Sequence, residues 1–155
     1  MTQQIRLGII GLGAQGGFYA KAIADGLVGN MTIGAICDTD PAKEQRAESQ
    51  FPGVPFFADY KEMIASGSVD AVITTIPHYL HPEVGIYALE HGMHLLGEKP
   101  AGVYTAQVKE LMAVADQHPE LTFAIMFNQR NNPLYRRIKE IVDARARGPP
   151  HHWCR

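Results

Sequence analysis

The chain lacks most of what would mark a membrane, secreted or nucleic-acid-binding protein. No apolar run approaches the roughly 20 residues that a bilayer span requires, so no membrane span is expected. It has only two cysteines, Cys37 in an apolar segment and Cys154 beside the C-terminus, which is no disulfide framework and fits a reducing compartment. The N-terminus carries neither a basic region followed by an adequate apolar stretch nor twin arginines, and the cytoplasm is the expected location. Charge is sparse at 19%, and the net value of −2 comes from interspersed signs. That leaves no basic footprint for a phosphate backbone, and nucleic acid is not an expected partner. What remains is a 46% hydrophobic chain of 155 residues. This is one globular domain, able to bury about two-thirds of the surface that it exposes when unfolded.

What is present is glycine in a particular order. The apolar run Ile5–Ile10 has strand character and gives way to Gly11-Leu12-Gly13-Ala14-Gln15-Gly16, after which Phe18–Ala24 reads as a helix. A dinucleotide-binding turn needs this order. The first glycine permits the tight turn, the second lets backbone approach a pyrophosphate, and the third lets the helix sit close to the strand. Phosphate would rest on free N–H groups at the helix start, where the macrodipole supplies about half a positive charge. Taken alone, the motif reads equally as a glycine-rich turn with no ligand.

A second strand, Met31–Cys37, delivers Asp38 about 20 residues beyond Gly16, where a carboxylate accepts hydrogen bonds from an adenosine ribose. Its charge repels a 2′-phosphate and favours NAD over NADP, while Arg46 on the next helix leaves NADP open. Asp38 also reads as part of a helix start, with Asp40 as cap and Pro41 opening a helix to Gln50. A short strand at Phe56-Phe57 follows, and Asp59 caps a helix over Tyr60–Ala65. Asp70–Ile76 reads as a buried strand running into Pro77-His78-Tyr79-Leu80-His81, with a helix from Pro82 to His91. His94–Gly97 is a fifth strand that delivers Glu98-Lys99-Pro100. Thr105–Gln117 forms a helix with an apolar face at Val108, Leu111, Met112 and Ala115, and Leu121–Phe127 is the sixth strand. Six strands with five helices between them predict an α/β fold, a doubly wound, Rossmann-like parallel sheet in three layers. Such sheets bind ligands at their carboxyl edge, where all of these segments fall. By charge alone, Glu98 and Lys99 read as solvated loop residues.

Gly11 to Gly16, Asp38, Thr75-Ile76-Pro77, His81 and Glu98-Lys99-Pro100 together resemble the nucleotide-binding half of the Gfo/Idh/MocA oxidoreductases, over roughly residues 5–143. The most specific part is the continuous stretch from Ala88 to Pro100. The resemblance implies hydride transfer between NAD, or NADP, and a sugar, inositol or related polyol. It implies that Lys99 is catalytic, assisting proton transfer, and that Glu98 contacts the nicotinamide ribose. It further implies that Gly11, Leu12, Gly13, Ala14, Gln15 and Gly16 hold the cofactor, and that Thr75, Ile76, Pro77, His78 and His81 line its pocket. Asn128 to Arg130, with Gln129 among them, would approach the nicotinamide side. By residue type, Asn128-Gln129-Arg130 reads equally as the approach to a helix capped by Asn132 and opened by Pro133.

That last helix has apolar positions at Leu134, Ile138, Ile141 and Val142, after which the run from Ala144 changes character. We expect a dinucleotide-binding domain over residues 1–143 and an atypical tail over 144–155. The substrate-binding half that the family carries, with its catalytic aspartate and histidine, is expected to be absent. A truncation or frame change near residue 144 accounts for this, with a natural tail as the alternative. The chain by itself is then expected to bind NAD weakly and to turn over nothing. A competing reading is a free-standing NAD-binding module that senses the cofactor or pairs with another chain, and a homo-oligomer follows if the Pro133 helix covers a partner. A methyltransferase shares the glycine-rich turn and the acid after strand two, but Glu98-Lys99-Pro100 counts against it. His78-x-x-His81, His91-x-x-His94 and His151-His152-x-Cys154 have metal-like spacings without a complete ligand set, and no metal is expected.

Overall fold

The computed structural model describes residues 4–146. Strands β1 (Ile5–Ile10), β2 (Met31–Cys37), β3 (Phe56–Phe57), β4 (Ala71–Thr74), β5 (His94–Gly97) and β6 (Phe123–Ile125) are joined by five helices. These are α1 (Ala14–Ala24), α2 (Ala42–Gln50), α3 (Tyr60–Ala65), α4 (His81–Glu90) and α5 (Thr105–Gln117), and α6 (Pro133–Ala146) follows β6. The strands form one sheet in the order β3-β2-β1-β4-β5-β6, with every pairing parallel. The expected doubly wound architecture is therefore the observed one.

Both faces of the sheet are covered, which is why its strands read as nearly continuous apolar runs. Leu7 and Ile9 of β1 pack with Leu12, Ala20, Ile23, Ala47 and Phe51 on the α1–α2 side. Ile10 packs with Met63, Ile64, Val84, Ala88, Leu89 and Leu111 on the α3–α5 side. The alternation along the strand is the period-two pattern of β-structure. Asp59 caps α3 by accepting the Lys61 N–H at 2.7 Å, and Asp40 accepts the Ala42 N–H at 3.0 Å where α2 begins. Asn132 does the same for Leu134 N–H at 3.0 Å at the start of α6.

Register decides where the site falls. Ile10 stands opposite Cys37 on one side and Thr74 on the other, and Thr74 stands opposite Gly97. The strands thus end level, and the residues that follow them share one edge. From β1 the chain builds outward through β2 and β3, then crosses back to build β4, β5 and β6 on the other side. The β1–β4 junction is the switch point at which doubly wound sheets open a crevice.

Several element boundaries differ from expectation. Helix α1 begins at Ala14, four residues before Phe18, so Gly16 and Gly17 lie inside its first turns. Strand β4 stops at Thr74, although Thr75 N–H still donates to Ile10 O of β1 at 2.8 Å, and β6 is confined to Phe123–Ile125. His78–Leu80 form a 3-10 turn leading directly into α4, which starts at His81. On α5, Leu111 is buried but Met112 is 54% exposed, and Val114 packs against the core in its place. Helix α6 runs to Ala146. Its Leu134, Ile138, Ile141 and Val142 are exposed. The tail residues beyond Ala146, including His151, His152 and Cys154, lie outside the described residues. Among the described residues, no helix is long and apolar enough to cross a membrane.

Candidate functional site

The three glycines of the first turn do different physical work. Gly11 has φ +98°, and a Cβ there would meet the Thr75 carbonyl oxygen at 2.5 Å. Its N–H donates to Cys37 O at 2.7 Å. A Cβ on Gly16 would overlap the carbonyl oxygen of Gly11. These two positions are closed by the chain packing on itself. Gly13 is the opposite case, with no atom beyond its immediate chain neighbours within 4 Å of where its Cβ would sit. It is the N-cap of α1, without a side-chain cap and with no acidic residue in the first helical turn. The first N–H groups of a helix have no intrahelical acceptor and favour an anion. Open space over such a terminus, with no carboxylate competing for it, fits the diphosphate of a dinucleotide. Thr75 holds the turn from β4, with Oγ1 2.6 Å from Gly11 O and 3.0 Å from Ile10 O.

Asp38 closes the next part of the edge. Its Oδ2 accepts the Leu12 N–H at 2.7 Å and its Oδ1 accepts the Asp40 N–H at 3.0 Å. Each ionised oxygen keeps a lone pair for a further donor. The Leu12 side chain is wholly buried, so only its backbone belongs to the site. A groove of about 580 Å³ runs past Gly11, Gly13, Asp38, Thr75, Ile76 and Pro77. Tyr60 and Glu83 also line it, with the Tyr60 hydroxyl donating to Glu83 Oε1 at 3.4 Å. Burial and the Glu83 charge push the Tyr60 phenol up to about 12. Cys37 also lines the groove, and burial, reinforced by Asp59 and Asp38, raises its thiol to about 12 and keeps it protonated. Arg46 does not line the groove. Its Nη1 donates to Leu12 O at 3.4 Å and its Nε to Gln50 Oε1 at 3.2 Å, bracing the turn from α2. The charged group that faces the groove beyond β2 is therefore a carboxylate, not a guanidinium.

A second groove of about 630 Å³ is lined by Lys99 together with Met126, Phe127, Asn128, Gln129 and Arg130. Lys99 and Gln129, 30 positions apart in the sequence, are thus brought together by the pairing of β5 with β6. Among the described residues no ion pair holds the Lys99 ammonium. Glu98 lines neither groove. It is only 7% exposed, and its two oxygens accept the Tyr19 hydroxyl and the Lys99 N–H.

The loop after β4 divides in the same way. Ile76 and Pro77 face the first groove, whereas His78 is exposed and lines neither. His81 is 3% exposed and lies beneath the loop, with Nδ1 2.7 Å from Pro100 O and Nε2 2.9 Å from Ile76 O. It ties the two loops together and does not open onto the groove. Ala14 and Gln15 are exposed at the start of α1. The other histidine pair is likewise occupied, His91 Nδ1 lying 2.8 Å from Tyr87 O and His94 Nδ1 accepting the Thr122 N–H at 2.9 Å. Among the described residues no group of three or more His, Cys, Asp or Glu side chains could hold a metal ion. Sequence reasoning missed Tyr19, Tyr60 and Glu83. For Tyr19 a signal existed, because Gln15 and Gly16 lie one turn back on the same helix face.

A parallel sheet with an anion cradle at its switch point and an acid after β2 defines a dinucleotide-binding domain. The chain matches the family model described as an oxidoreductase family with an NAD-binding Rossmann fold over residues 5–125, and it belongs to that Gfo/Idh/MocA family. It is 28% identical over 148 residues to an inositol 2-dehydrogenase of Corynebacterium glutamicum, covering 96% of this chain and 44% of that one. Scyllo-inositol dehydrogenase from Lactobacillus casei, solved with NAD(H) and scyllo-inositol, superposes with a TM-score of 0.87 at 29% identity. That match covers 94% of this chain and 43% of the other. The WlbA dehydrogenase from Bordetella pertussis, in complex with NADH and UDP-GlcNAcA, gives a TM-score of 0.84 at 26% identity, covering 92% and 44%. The chain spans a little under half the length of these relatives.

Proposed function

We propose that this domain binds NAD across the β1–β4 switch point and serves an oxidoreductase of sugars, inositol or related polyols, working in the cytoplasm. Gly11–Gly16 would lie under the diphosphate, Asp38 on the adenosine ribose, and Lys99 with Gln129 at the nicotinamide end. The observation that supports this most is the level ending of the strands, which brings the glycine cradle, Asp38 and Lys99 to one edge. The dinucleotide, when bound, supplies the hydride acceptor. Everything else is the work of the chain. The cradle binds and orients, and the Asp38 charge disfavours a 2′-phosphate. The Lys99 ammonium, beside a reacting hydroxyl, would stabilise the negative charge that develops on oxygen as its proton departs. We assign turnover to the domain together with the region that its relatives carry beyond it.

The test is calorimetric titration of the chain with NAD, NADP and S-adenosylmethionine. Saturable NAD binding, tighter than NADP and with no response to S-adenosylmethionine, is expected. Failure of all three to bind overturns the reading. The exposed apolar row on α6 supports a second reading, an NAD-binding module that pairs with another chain or a second copy. A concentration-independent monomer in sedimentation counts against a second copy. NAD reduction on adding polyols separates an enzyme from a module.

A further inference from the structure

One side chain joins the diphosphate-binding helix to the lysine loop. Tyr19 lies in α1 one turn beyond Gly16, and its hydroxyl donates to Glu98 Oε1. The other oxygen, Oε2, accepts the backbone N–H of Lys99 at 2.9 Å. The N–H of Glu98 itself continues the sheet by donating to Thr74 O at 3.2 Å. A buried carboxylate is costly unless donors satisfy it, and the two side-chain oxygens draw those donors from two different elements. The Glu98-Lys99 loop is thereby tied across the end of β1 and β4 to the helix that opens at Gly13.

The tie is chemically one-way. Burial, with the Glu98 carboxylate beside it, pushes the Tyr19 phenol up to about 12, so the hydroxyl is a donor throughout the working pH range. Gln15, one turn back on the same helix face, acts on that hydroxyl in the opposite sense. The contacts therefore run from Tyr19 on α1, through the Glu98 carboxylate, to the backbone of Lys99. A phenylalanine would fill the same volume and keep the edge contact that the Tyr19 ring makes with Phe18 at 5.7 Å. Only the donor would be lost.

We infer that Tyr19 is a positioning residue, holding the Glu98-Lys99 loop so that the diphosphate cradle and the nicotinamide end of the site are set relative to one another. This rests on the reading of the Lys99 groove as the nicotinamide end. It requires no contact between Tyr19 and the cofactor.

The experiment compares the full chain with its Tyr19→Phe variant by calorimetry, using NAD and ADP. ADP carries the adenosine and diphosphate but no nicotinamide riboside, so it reports on the cradle and on folding alone. NAD affinity is expected to fall about tenfold and ADP affinity to stay within about twofold, the scale of one hydrogen bond to a buried charge. Glu98→Gln supplies the second arm. If Tyr19 acts through Glu98, the double variant binds NAD no more weakly than the weaker single variant, because an amide offers one acceptor oxygen to two donors and each change breaks the same Tyr19–Glu98–Lys99 tie. Equal losses for NAD and ADP, an NAD affinity unchanged or tighter in Tyr19→Phe, or fully additive losses overturn the inference. Failure of the unaltered chain to bind NAD overturns the reading beneath it, and the inference with it.

Discussion

The two ends of the sheet each hold carboxylates through backbone N–H groups, but they treat the charge differently. At the amino edge, Asp70 precedes β4 and meets Arg6 of β1 in a two-pronged pair, with Nη2 to Oδ1 at 2.6 Å and Nε to Oδ2 at 3.0 Å. The Arg6 N–H adds a third bond to Oδ2 at 2.8 Å, and Nη1 donates to Gly67 O at 2.8 Å. There the guanidinium neutralises the carboxylate and holds it from both prongs. At the carboxyl edge, Asp38 receives two N–H donors and, among the described residues, no cation. Its negative charge and spare lone pairs face a groove. Where a carboxylate is neutralised it joins strands, and where it is positioned but left without a cation it keeps acceptors for a further donor.

The largest effect is expected from Gly13→Val. Gly13 has an extended backbone with φ −73° and open space around its missing Cβ, so the variant should fold with an unchanged thermal midpoint. The added side chain fills the space over the helix terminus, and NAD affinity should drop by about a hundredfold or more, roughly 3 kcal/mol. A variant that still binds NAD removes the cradle from the site. Next comes Asp38→Ala, which removes a charged acceptor. Hydrogen bonds to charged groups contribute about 1.5–3 kcal/mol, so NAD should bind about tenfold to a hundredfold more weakly. The preference over NADP should shrink at the same time. Equal losses for the two cofactors would break the contrast between the edges.

The smallest effect is expected from Asp70→Asn, which should leave NAD binding untouched and lower the urea midpoint slightly. Hydrogen bonds from Arg6 hold the Asp70 carboxyl below its ordinary 3.8. A lowered native value means that the stabilisation is present above the unfolded value and is lost as pH falls through the native one. The gap between the unaltered chain and Asp70→Asn should therefore be visible at about pH 6 and shrink toward about pH 3. A gap that persists unchanged in acid would show that the pair does not work through its charge.

Legibility in the sequence followed the range of the forces involved. Strand β5 and helix α5 were readable to the residue, because an apolar run between polar segments and a regular helical pattern are local facts. Asp38, the caps at Asp59 and Asn132, and the glycine turn were readable for the same reason. Residue type alone runs strand β4 two residues too far, since Thr75 and Ile76 have strand character but Thr75 turns its hydroxyl onto the glycine turn of β1. Local propensity starts helix α1 too late, because Gly16 and Gly17 are poor helix formers. Packing overrides that propensity, as nothing larger than Gly16 fits beneath Gly11. Met112 and Leu111 are neighbours whose directions differ by about 100°, and only the position of α4 selects Leu111 for the core.

The sequence by itself determined the order of strands and helices, the glycine cradle and the acid after β2. Each of these depends on backbone freedom, side-chain branching or hydrogen bonds to residues a few positions away. Only the tertiary structure decided which carboxylates are neutralised and which are merely held, and which histidine is exposed and which is buried between carbonyls. Arg6 meets Asp70 across 64 positions and Tyr19 meets Glu98 across 79. Periodicity records which face of an element is apolar, whereas a polar contact needs two elements brought into register, and that register is a property of the assembled sheet.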